Sequence, residues 1–386
     1  MVGRLAHLLI AVCSALLRMW YHLCRLVGTR PRIVCLSRQS DEEPVDFALV
    51  RECVARTHPG HDVVTLARAI PEHGNPLRYL AYVPHVLRQV FYLATSEAAV
   101  LDSYCVAVSL LGRTLRTPVV QMWHSLGNLK KFGYAALGEP EGRSERLARL
   151  MHMHEGYDSV LISSMSFAEP FAASFGVDTT LLYEAPLPRC DLLVDPAAVA
   201  REREAIHRAL PQTARRKNIV YCPTFRKCPV PDEAEAVAAL VGAVDFGRYN
   251  LIYQRHPVST LAIDDPRVIS DGPAGLNLLC VADYVISDYS TIIYEAGLLD
   301  VPVYLYAYDW EAYSQERGLT IDLERDVPAL LTDDPRAIMA AIEADDFDHE
   351  AFRAFTRANV ALPATGTCTE RVVAHVFDLA GEAGRG

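Results

Sequence analysis

The sequence predicts an α/β fold of two Rossmann-like halves, each built on a parallel sheet, with an amphipathic helix at the N-terminus. Three observations carry this. Short β-prone apolar runs alternate with helical stretches from residue 31 onward, the pattern of parallel sheets. The alternation breaks near residues 185–217, where a helical stretch ends in the basic turn Arg215-Arg216-Lys217, so it falls into two series. Residues 1–30 differ in composition from everything that follows. The expected organisation is a membrane-associating helix over 1–30, an N-terminal Rossmann-like domain over 31–205, a C-terminal one over 206–363, and a helix with a Gly-rich tail over 364–386.

The first element is a mostly apolar run, 8–17, between Arg4 and Arg18, continued by Met19, Trp20, Tyr21, Leu23, Leu26 and Val27 among His22, Arg25 and Arg30. A run of this length falls short of the roughly 20 residues that span hydrocarbon, and extension past Arg18 places a charge in the span. Trp, Tyr and several Arg beside Leu suit a helix lying in the interface of an anionic membrane. A signal peptide has the same order of basic start and apolar run, but the continuation is Arg-rich and no Ala-x-Ala site follows. A lipoprotein at Cys13 is disfavoured by the bulky Val12. A helix packed on the protein is the plain alternative.

The first strand is Arg32-Ile33-Val34-Cys35-Leu36, ended by Ser37-Arg38-Gln39-Ser40-Asp41. Further strands are expected at 63–66, 98–101, 118–123 and 159–163, and a helix at 84–95 with Pro84 in its first turn. A helix at 201–210 precedes the second series, whose strands are 218–222, 249–253, 284–286 and 303–305.

With 51% hydrophobic and 22% charged residues, the 386-residue chain can bury substantial cores. A net charge of −11 argues against a nucleic-acid binder, which normally carries a basic surface. Local clusters such as Lys130-Lys131 and Arg226-Lys227 still allow an anionic small substrate. The ten cysteines include no Cys-x-x-Cys pair and no zinc-type spacing. They read as small buried hydrophobes in a reducing compartment.

The strand at 118–123 runs into His124-Ser125-Leu126-Gly127-Asn128-Leu129-Lys130-Lys131. A parallel sheet opens to its ligand at such a strand end, and His has the ordinary pKa range of a general base. Lys130 and Lys131 either attract phosphate as point charges or are surface lysines. The strand at 218–222 ends in Pro223-Thr224-Phe225-Arg226, and an Arg there either grips a phosphate with paired N–H groups or forms a surface salt bridge. Pro257 keeps His256 extended at the tip of the strand at 249–253. The strand at 284–286 is broken by Ser287 and Asp288. A helix starting at Ser290 or Thr291 then points backbone N–H groups at the strand end, a spot suited to phosphate. Glu295, about one turn in, is placed to accept hydrogen bonds from ribose hydroxyls. The plain alternative is a well-capped strand–helix junction. No acidic pair accompanies these tips, so their cations can neutralise phosphate charge without a metal.

Together these blocks resemble the CDP-glycerol glycerophosphotransferases, the primases and polymerases of wall teichoic acid. The likeness rests on Gln121-Met122-Trp123-His124 with Lys130-Lys131, Pro223-Thr224-Phe225-Arg226, Arg255-His256-Pro257 and Ser287-Asp288-Tyr289-Ser290-Thr291. A further block, Tyr308-Asp309 with Tyr313 and Arg317-Gly318, extends it, so that it covers roughly residues 115–320. The chain departs from the family's usual pattern at Ser125, where Gly is usual, and at Thr291, Glu295 and Ala329. The resemblance implies a GT-B fold with two Rossmann-like domains facing across a cleft. It implies no cofactor, no required metal, and a peripheral enzyme on the cytoplasmic face of the membrane. Its substrates would be CDP-glycerol or CDP-ribitol and an undecaprenyl-diphosphate-linked acceptor, with CMP released. His124 would be the general base, Arg226 and His256 would stabilise the pyrophosphate, and Arg317 would bind substrate. A sugar-nucleotide transferase or epimerase of the same fold, and a non-catalytic membrane scaffold, are the alternatives.

Overall fold

The computed structural model describes residues 2–70, 76–139, 142, 144–224, 226, 230, 232–255, 259, 261–270, 272, 275, 277–316 and 318–383. Twelve strands are present among them. The first six are β1 (Arg30–Ser37), β2 (Asp62–Ala67), β3 (Ser96–Leu101), β4 (Val119–Gln121), β5 (Ser159–Ile162) and β6 (Leu182–Glu184). The rest are β7 (Lys217–Cys222), β8 (Tyr249–Tyr253), β9 (Val268–Ser270), β10 (Tyr284–Ser287), β11 (Val303–Tyr306) and β12 (Leu331–Thr332). They form two six-stranded sheets, ordered β2-β1-β3-β4-β5-β6 and β12-β11-β10-β7-β8-β9. Every pairing within them is parallel.

Parallel strands covered by helices on both faces become continuous apolar runs rather than alternating ones. Ile33, Val34, Cys35 and Leu36 of β1 are all buried, as are Tyr284, Val285 and Ile286 of β10. In each sheet the chain lays down strands to one side of its first strand, then returns to the other side. The strand order therefore reverses between β1 and β3 in the first sheet and between β7 and β10 in the second. Open α/β sheets bind ligands in the crevice beyond the strand ends at such points. The fold thus supplies two crevices before any side chain is considered.

Helix α1 (Val2–Arg25) is continuous through Arg18, in line with the helix expected over 1–30, and contains the apolar run 8–17. Leu8–Arg25 has the length and composition to cross a membrane. One stripe of α1 packs on the N-terminal half: Ser14, Tyr21 and Cys24 are buried with Leu17 beside them. The Arg116 N–H donates to the Tyr21 hydroxyl at 3.0 Å, and Arg18 Nε donates to the Leu110 carbonyl at 3.3 Å. Helix α2 (Val45–Thr57) covers the sheet, and α3 (Pro76–Thr95) packs beside α1. The expected start of this helix at Pro84 is corrected: the helix begins at Pro76 and Pro84 lies inside it. Pro76 serves as the opening proline, since its missing N–H has no intrahelical partner at a first turn anyway.

The C-terminal helix Cys368–Ala383 returns to the N-terminal half. His375 Nε2 lies 2.8 Å from Ser159 Oγ, and the Phe377 ring stacks on His58 at 3.7 Å. Its first turn is capped by Asp191, which accepts from the Cys368 and Thr369 N–H groups at 2.8 and 2.9 Å. The terminal helix thereby ties the C-terminal half back to the N-terminal half, in addition to the linker near residues 185–217.

Candidate active site

In the C-terminal half, β7 and β10 deliver their following residues into one crevice. Ser287 Oγ donates to the Cys222 carbonyl at 2.7 Å, and Asp288 accepts from the Thr224 N–H at 2.9 Å and the Tyr289 N–H at 2.6 Å. Both side chains are buried and join the two strand tips, so the structure gives them a bracing place rather than an open one. Arg226 lies between Asp288 and Asp309. Its Nη1 donates to Asp288 Oδ2 at 2.5 Å and to the Thr224 carbonyl at 2.6 Å, and Nε and Nη2 donate to the two Asp309 oxygens at 2.9 Å each. The rings of Tyr289, Tyr308 and Tyr313 surround the guanidinium at 5.2–5.4 Å. Burial alone would pull the Arg226 pKa down, but Asp288 and Asp309 outweigh it and hold it up. The geometry corrects the expectation of a guanidinium open to phosphate: at 3% side-chain exposure it is the hub of a buried ionic cluster. Thr224 Oγ1 is buried with no hydrogen-bond partner among the described residues, at the same strand tip.

The turn at Ser290 and Thr291 is half-buried, and the Ile292 N–H donates to Ser290 Oγ at 3.4 Å. The helix that follows, Ile292–Leu298, has no side-chain cap bond from Thr291. Glu295 pairs with Arg189 at 3.2 Å, and Arg189 Nε also reaches Asp46 of α2 at 2.9 Å. Burial lowers the Arg189 pKa and the two carboxylates more than restore it, while burial raises that of Glu295 against the opposing pull of Arg189. Asp46–Arg189–Glu295 is therefore a strut from the N-terminal half, through the linker, to the second crevice. It commits the Glu295 carboxylate to an ion pair where the sequence suggested a ribose contact. His256 and Arg317 lie outside the described residues.

In the N-terminal half, β4 ends at Gln121 and the chain turns sharply. Trp123 adopts a left-handed φ of 65°, a conformation that costs a bulky residue roughly 1–3 kcal/mol and concentrates at functional sites. The Trp123 N–H donates to Gln121 Oε1 at 3.0 Å, and its indole stacks on Phe132 at 4.7 Å. The turn delivers His124 to the β1/β3 crevice. There His124 Nδ1 lies 2.8 Å from the Asp102 carbonyl and 3.1 Å from Gln39 Nε2. The Asp102 carbonyl only accepts and the Gln39 amide nitrogen only donates, so one Nδ1 cannot bond both; the shorter contact, to the carbonyl, calls for the proton on Nδ1, the tautomer required of a general base that acts through Nε2. A cavity of about 310 Å³ opens here, lined by Arg38, Gln39, Trp123, His124, Lys131 and Glu139 among others. Lys131 Nζ is 3.2 Å from Glu139. A larger groove of about 670 Å³ lies at the opposite, amino-terminal ends of the strands, by Thr117 and Asp158, away from the edge where such sheets bind ligands.

The loop that follows His124 is tied to the C-terminal half. Lys130 forms a β-bridge with Leu319, the Lys131 N–H donates to the Gly318 carbonyl at 3.1 Å, and the Thr320 N–H donates to the Leu129 carbonyl at 3.0 Å. At Gly127 a Cβ would come within 2.3 Å of the Tyr294 ring, so only glycine lets this loop approach the second half so closely. Sequence reasoning missed Arg38, Gln39, Asp102 and Arg189. Their signal was their position just after a strand or in the linker, and it becomes readable only once strand order is known.

Two doubly wound parallel sheets, each with a switch-point crevice and one of them holding His124, define an enzyme of the GT-B-like α/β class. The chain belongs to the CDP-glycerol:poly(glycerophosphate) glycerophosphotransferase family, whose sequence profile matches residues 20–378. It is 28% identical over 302 residues to the teichoic acid ribitol-phosphate primase of Bacillus spizizenii, covering 76% of this chain and 77% of that protein. It is 27% identical over 282 residues to the teichoic acid glycerol-phosphate primase of Bacillus subtilis, covering 70% of this chain and 71% of that one. Among solved structures, the wall teichoic acid polymerase TagF superposes with a TM-score of 0.72 at 18% identity, over 98% of this chain and 97% of that chain. A UDP-N-acetylglucosamine 2-epimerase from Listeria monocytogenes reaches 0.57 at 13% identity, over 92% of this chain and 98% of that one. At those identities both likenesses speak for the fold alone.

Proposed function

We propose that this enzyme transfers a polyol phosphate from a CDP-polyol to a hydroxyl of a lipid-linked acceptor, as a primase or polymerase of teichoic-acid type. The acceptor oxygen attacks the β-phosphorus of the CDP-polyol and forms a new P–O bond. The bond from that phosphorus to the bridging oxygen breaks, its electron pair leaves with CMP, and the hydroxyl proton passes to His124 Nε2. The observation that supports this reading is His124 held against the Asp102 carbonyl beside a cavity at the switch point. Catalysis of this kind is mostly positioning and charge stabilisation. Ser290, Thr291 and the backbone N–H groups of their turn hold a donor phosphate, with His256 assigned to the leaving phosphate from its place in the sequence. Arg226 and Glu295 position these groups from behind, through Asp288 and Arg189.

Glycerol is the polyol we favour from the family's activity. Ribitol is the second reading, supported by the ribitol-phosphate primase, which matches as well as the glycerol-phosphate one. The acceptor's lipid gives the exposed side of α1 a purpose. Leu8, Leu9, Val12, Leu16, Met19 and Leu23 of α1, with Leu80 and Val83 of α3, form an uncovered apolar face that we assign to the cytoplasmic membrane surface.

The test is CMP release by the purified chain from CDP-glycerol and from CDP-ribitol, with and without a lipid-linked acceptor. Acceptor-dependent release from one donor names the polyol. His124→Ala should bind that donor as the wild type does and lose turnover; full turnover by this variant removes the base assignment. Release or epimerisation with UDP-sugars alone would move the enzyme to the sugar-nucleotide class.

A further inference from the structure

We infer that the loop after His124 is a positioning clasp. Gly127 seated on Tyr294, with the bridge between Lys130 and Leu319, holds the two halves in one fixed arrangement through the whole reaction and sets His124 relative to the donor turn. This rests on the transfer reading above and adds how its two crevices are kept in register.

Two Rossmann-like units joined by a linker move against each other unless contacts between them forbid it. Here the contacts fall beside the residues assigned to the chemistry. His124 and its loop follow β4 of the first sheet, while Ser290, Thr291 and helix Ile292–Leu298 follow β10 of the second. Tyr294 lies in the first turn of that helix and is fully buried. Its ring reaches the N-terminal half, with its centre 5.6 Å from that of Phe167, just after β5. Gly127 lies against the same two rings, and neither leaves room for a Cβ there. The loop of His124 and the helix of the donor turn are therefore in direct contact, with only Ser125 and Leu126 between His124 and the glycine.

The bridge secures the far end of the loop. The Thr320 N–H bond to the Leu129 carbonyl and the Lys131 N–H bond to the Gly318 carbonyl flank the Lys130–Leu319 pair, as in an antiparallel ladder. Thr320 Oγ1 adds a bond to the Asn128 carbonyl at 2.9 Å. These bonds end on backbone carbonyls and form without any ligand. Other elements of the N-terminal half brace the same arrangement. After β5, the Ser163 carbonyl accepts from the Ala361 N–H at 2.7 Å, and Ser164 Oγ donates to the Ala358 carbonyl at 2.8 Å. Asp46 of α2 reaches Glu295 through Arg189. A hinge turns about one axis, and ties from three separate elements resist it.

The experiment uses the full chain with the CDP-polyol and lipid-linked acceptor it turns over. Lys130 and Leu319 face each other at a non-hydrogen-bonded position of an antiparallel pair, where Cα atoms stand about 4.5 Å apart, within reach of a disulfide. Lys130→Cys with Leu319→Cys is assayed with the bond formed and, in the same preparation, after reduction, so that loss of the lysine cancels. The expected kcat is the same in both states. A fall on forming the bond that is regained on reduction overturns the proposal. Gly127→Ala should lower kcat by roughly 10–100-fold, because about an ångström of displacement between reacting groups has an effect of that size. KM for donor and acceptor should stay unchanged, since each crevice is intact. Adding Tyr294→Leu, which removes the ring edge that the new methyl meets, should recover part of kcat. Turnover by Gly127→Ala equal to wild type, or a loss carried by KM, overturns the proposal; if that variant does not fold, the disulfide assay decides. Hydrogen exchange at the Lys131 and Thr320 N–H groups reads the clasp apart from chemistry. Both should be equally protected with and without the CDP-polyol, and protection gained on adding it would show halves that come together on binding, which also overturns the proposal. Absence of CMP release in every arm, or full turnover by His124→Ala, with that protection unchanged, would instead count against the transfer reading and leave the clasp standing.

Discussion

Arg226→Gln separates two roles that the same residue could fill at a strand tip. If the guanidinium gripped a donor phosphate, its loss would raise donor KM and leave the empty protein as stable as before. The structure places it instead between Asp288 and Asp309, whose side chains are 1% and 5% exposed. Removing one partner of a buried ion pair costs about 3–5 kcal/mol, because the remaining charge is left uncompensated. Here the remaining carboxylates keep some partners: Asp288 retains the Thr224 and Tyr289 N–H groups, and Asp309 retains the Tyr289 hydroxyl at 2.9 Å. The expected loss is therefore near the lower bound, about 3 kcal/mol. Replacing all three, as Arg226→Gln with Asp288→Asn and Asp309→Asn, should restore part of the loss because no charge is then stranded. The assay is urea unfolding without ligand, followed by tryptophan fluorescence; Trp310 lies 6.0 Å from the Tyr289 ring and reports on this cluster. An Arg226→Gln protein within about 0.5 kcal/mol of wild type, with donor KM raised tenfold or more, would refute the buried-hub account and return the guanidinium to the phosphate.

Two further outcomes follow from the other half. Burial pushes the Asp102 carboxyl up to about 6, against hydrogen bonds from Ser37 and Ser103 that act to lower it. The native state then holds a proton between about pH 4 and 6 that the unfolded chain has released, so stability falls as pH rises through that window, by about 3 kcal/mol. Asp102→Asn removes the ionisation while keeping the backbone carbonyl that orients His124. It should gain Tm over wild type from pH 4 to 7 and keep turnover; parallel Tm profiles would show that the carboxyl does not titrate there. For the apolar face of α1, the full chain should float with anionic vesicles, and Leu16→Glu with Met19→Glu should abolish flotation without lowering Tm. Undiminished flotation of that variant would place the membrane contact elsewhere.

The two sheets were readable because a strand buried on both faces is an apolar run, and such runs at Ile33, Val220 and Val285 need no tertiary information to be seen. Strands β6, β9 and β12 escaped because they are short, partly exposed edge strands without a continuous apolar run, whereas the equally short β4 is internal and fully buried. Helix α1 was legible from the composition of residues 1–30; Arg18 counted only against a membrane span, and the fold lets its Nε reach the Leu110 carbonyl beside the packed stripe. The site divides along the same line. His124 was legible because its strand, its turn and its lysines are contiguous. Arg226 was legible as a cation at a strand tip, but Asp309, 83 residues on, decides what that cation does. Glu295 is likewise decided by Arg189 at a separation of 106 residues, and Arg189 by Asp46 at 143. Local sequence sets which groups stand at the strand ends. The strand order, which only the folded chain supplies, sets which of them face a substrate and which face each other. Arg38 and Arg226 show the consequence. Each is an arginine just past the first strand of its sheet, yet the second closes on two buried carboxylates and the first lines the cavity beside His124.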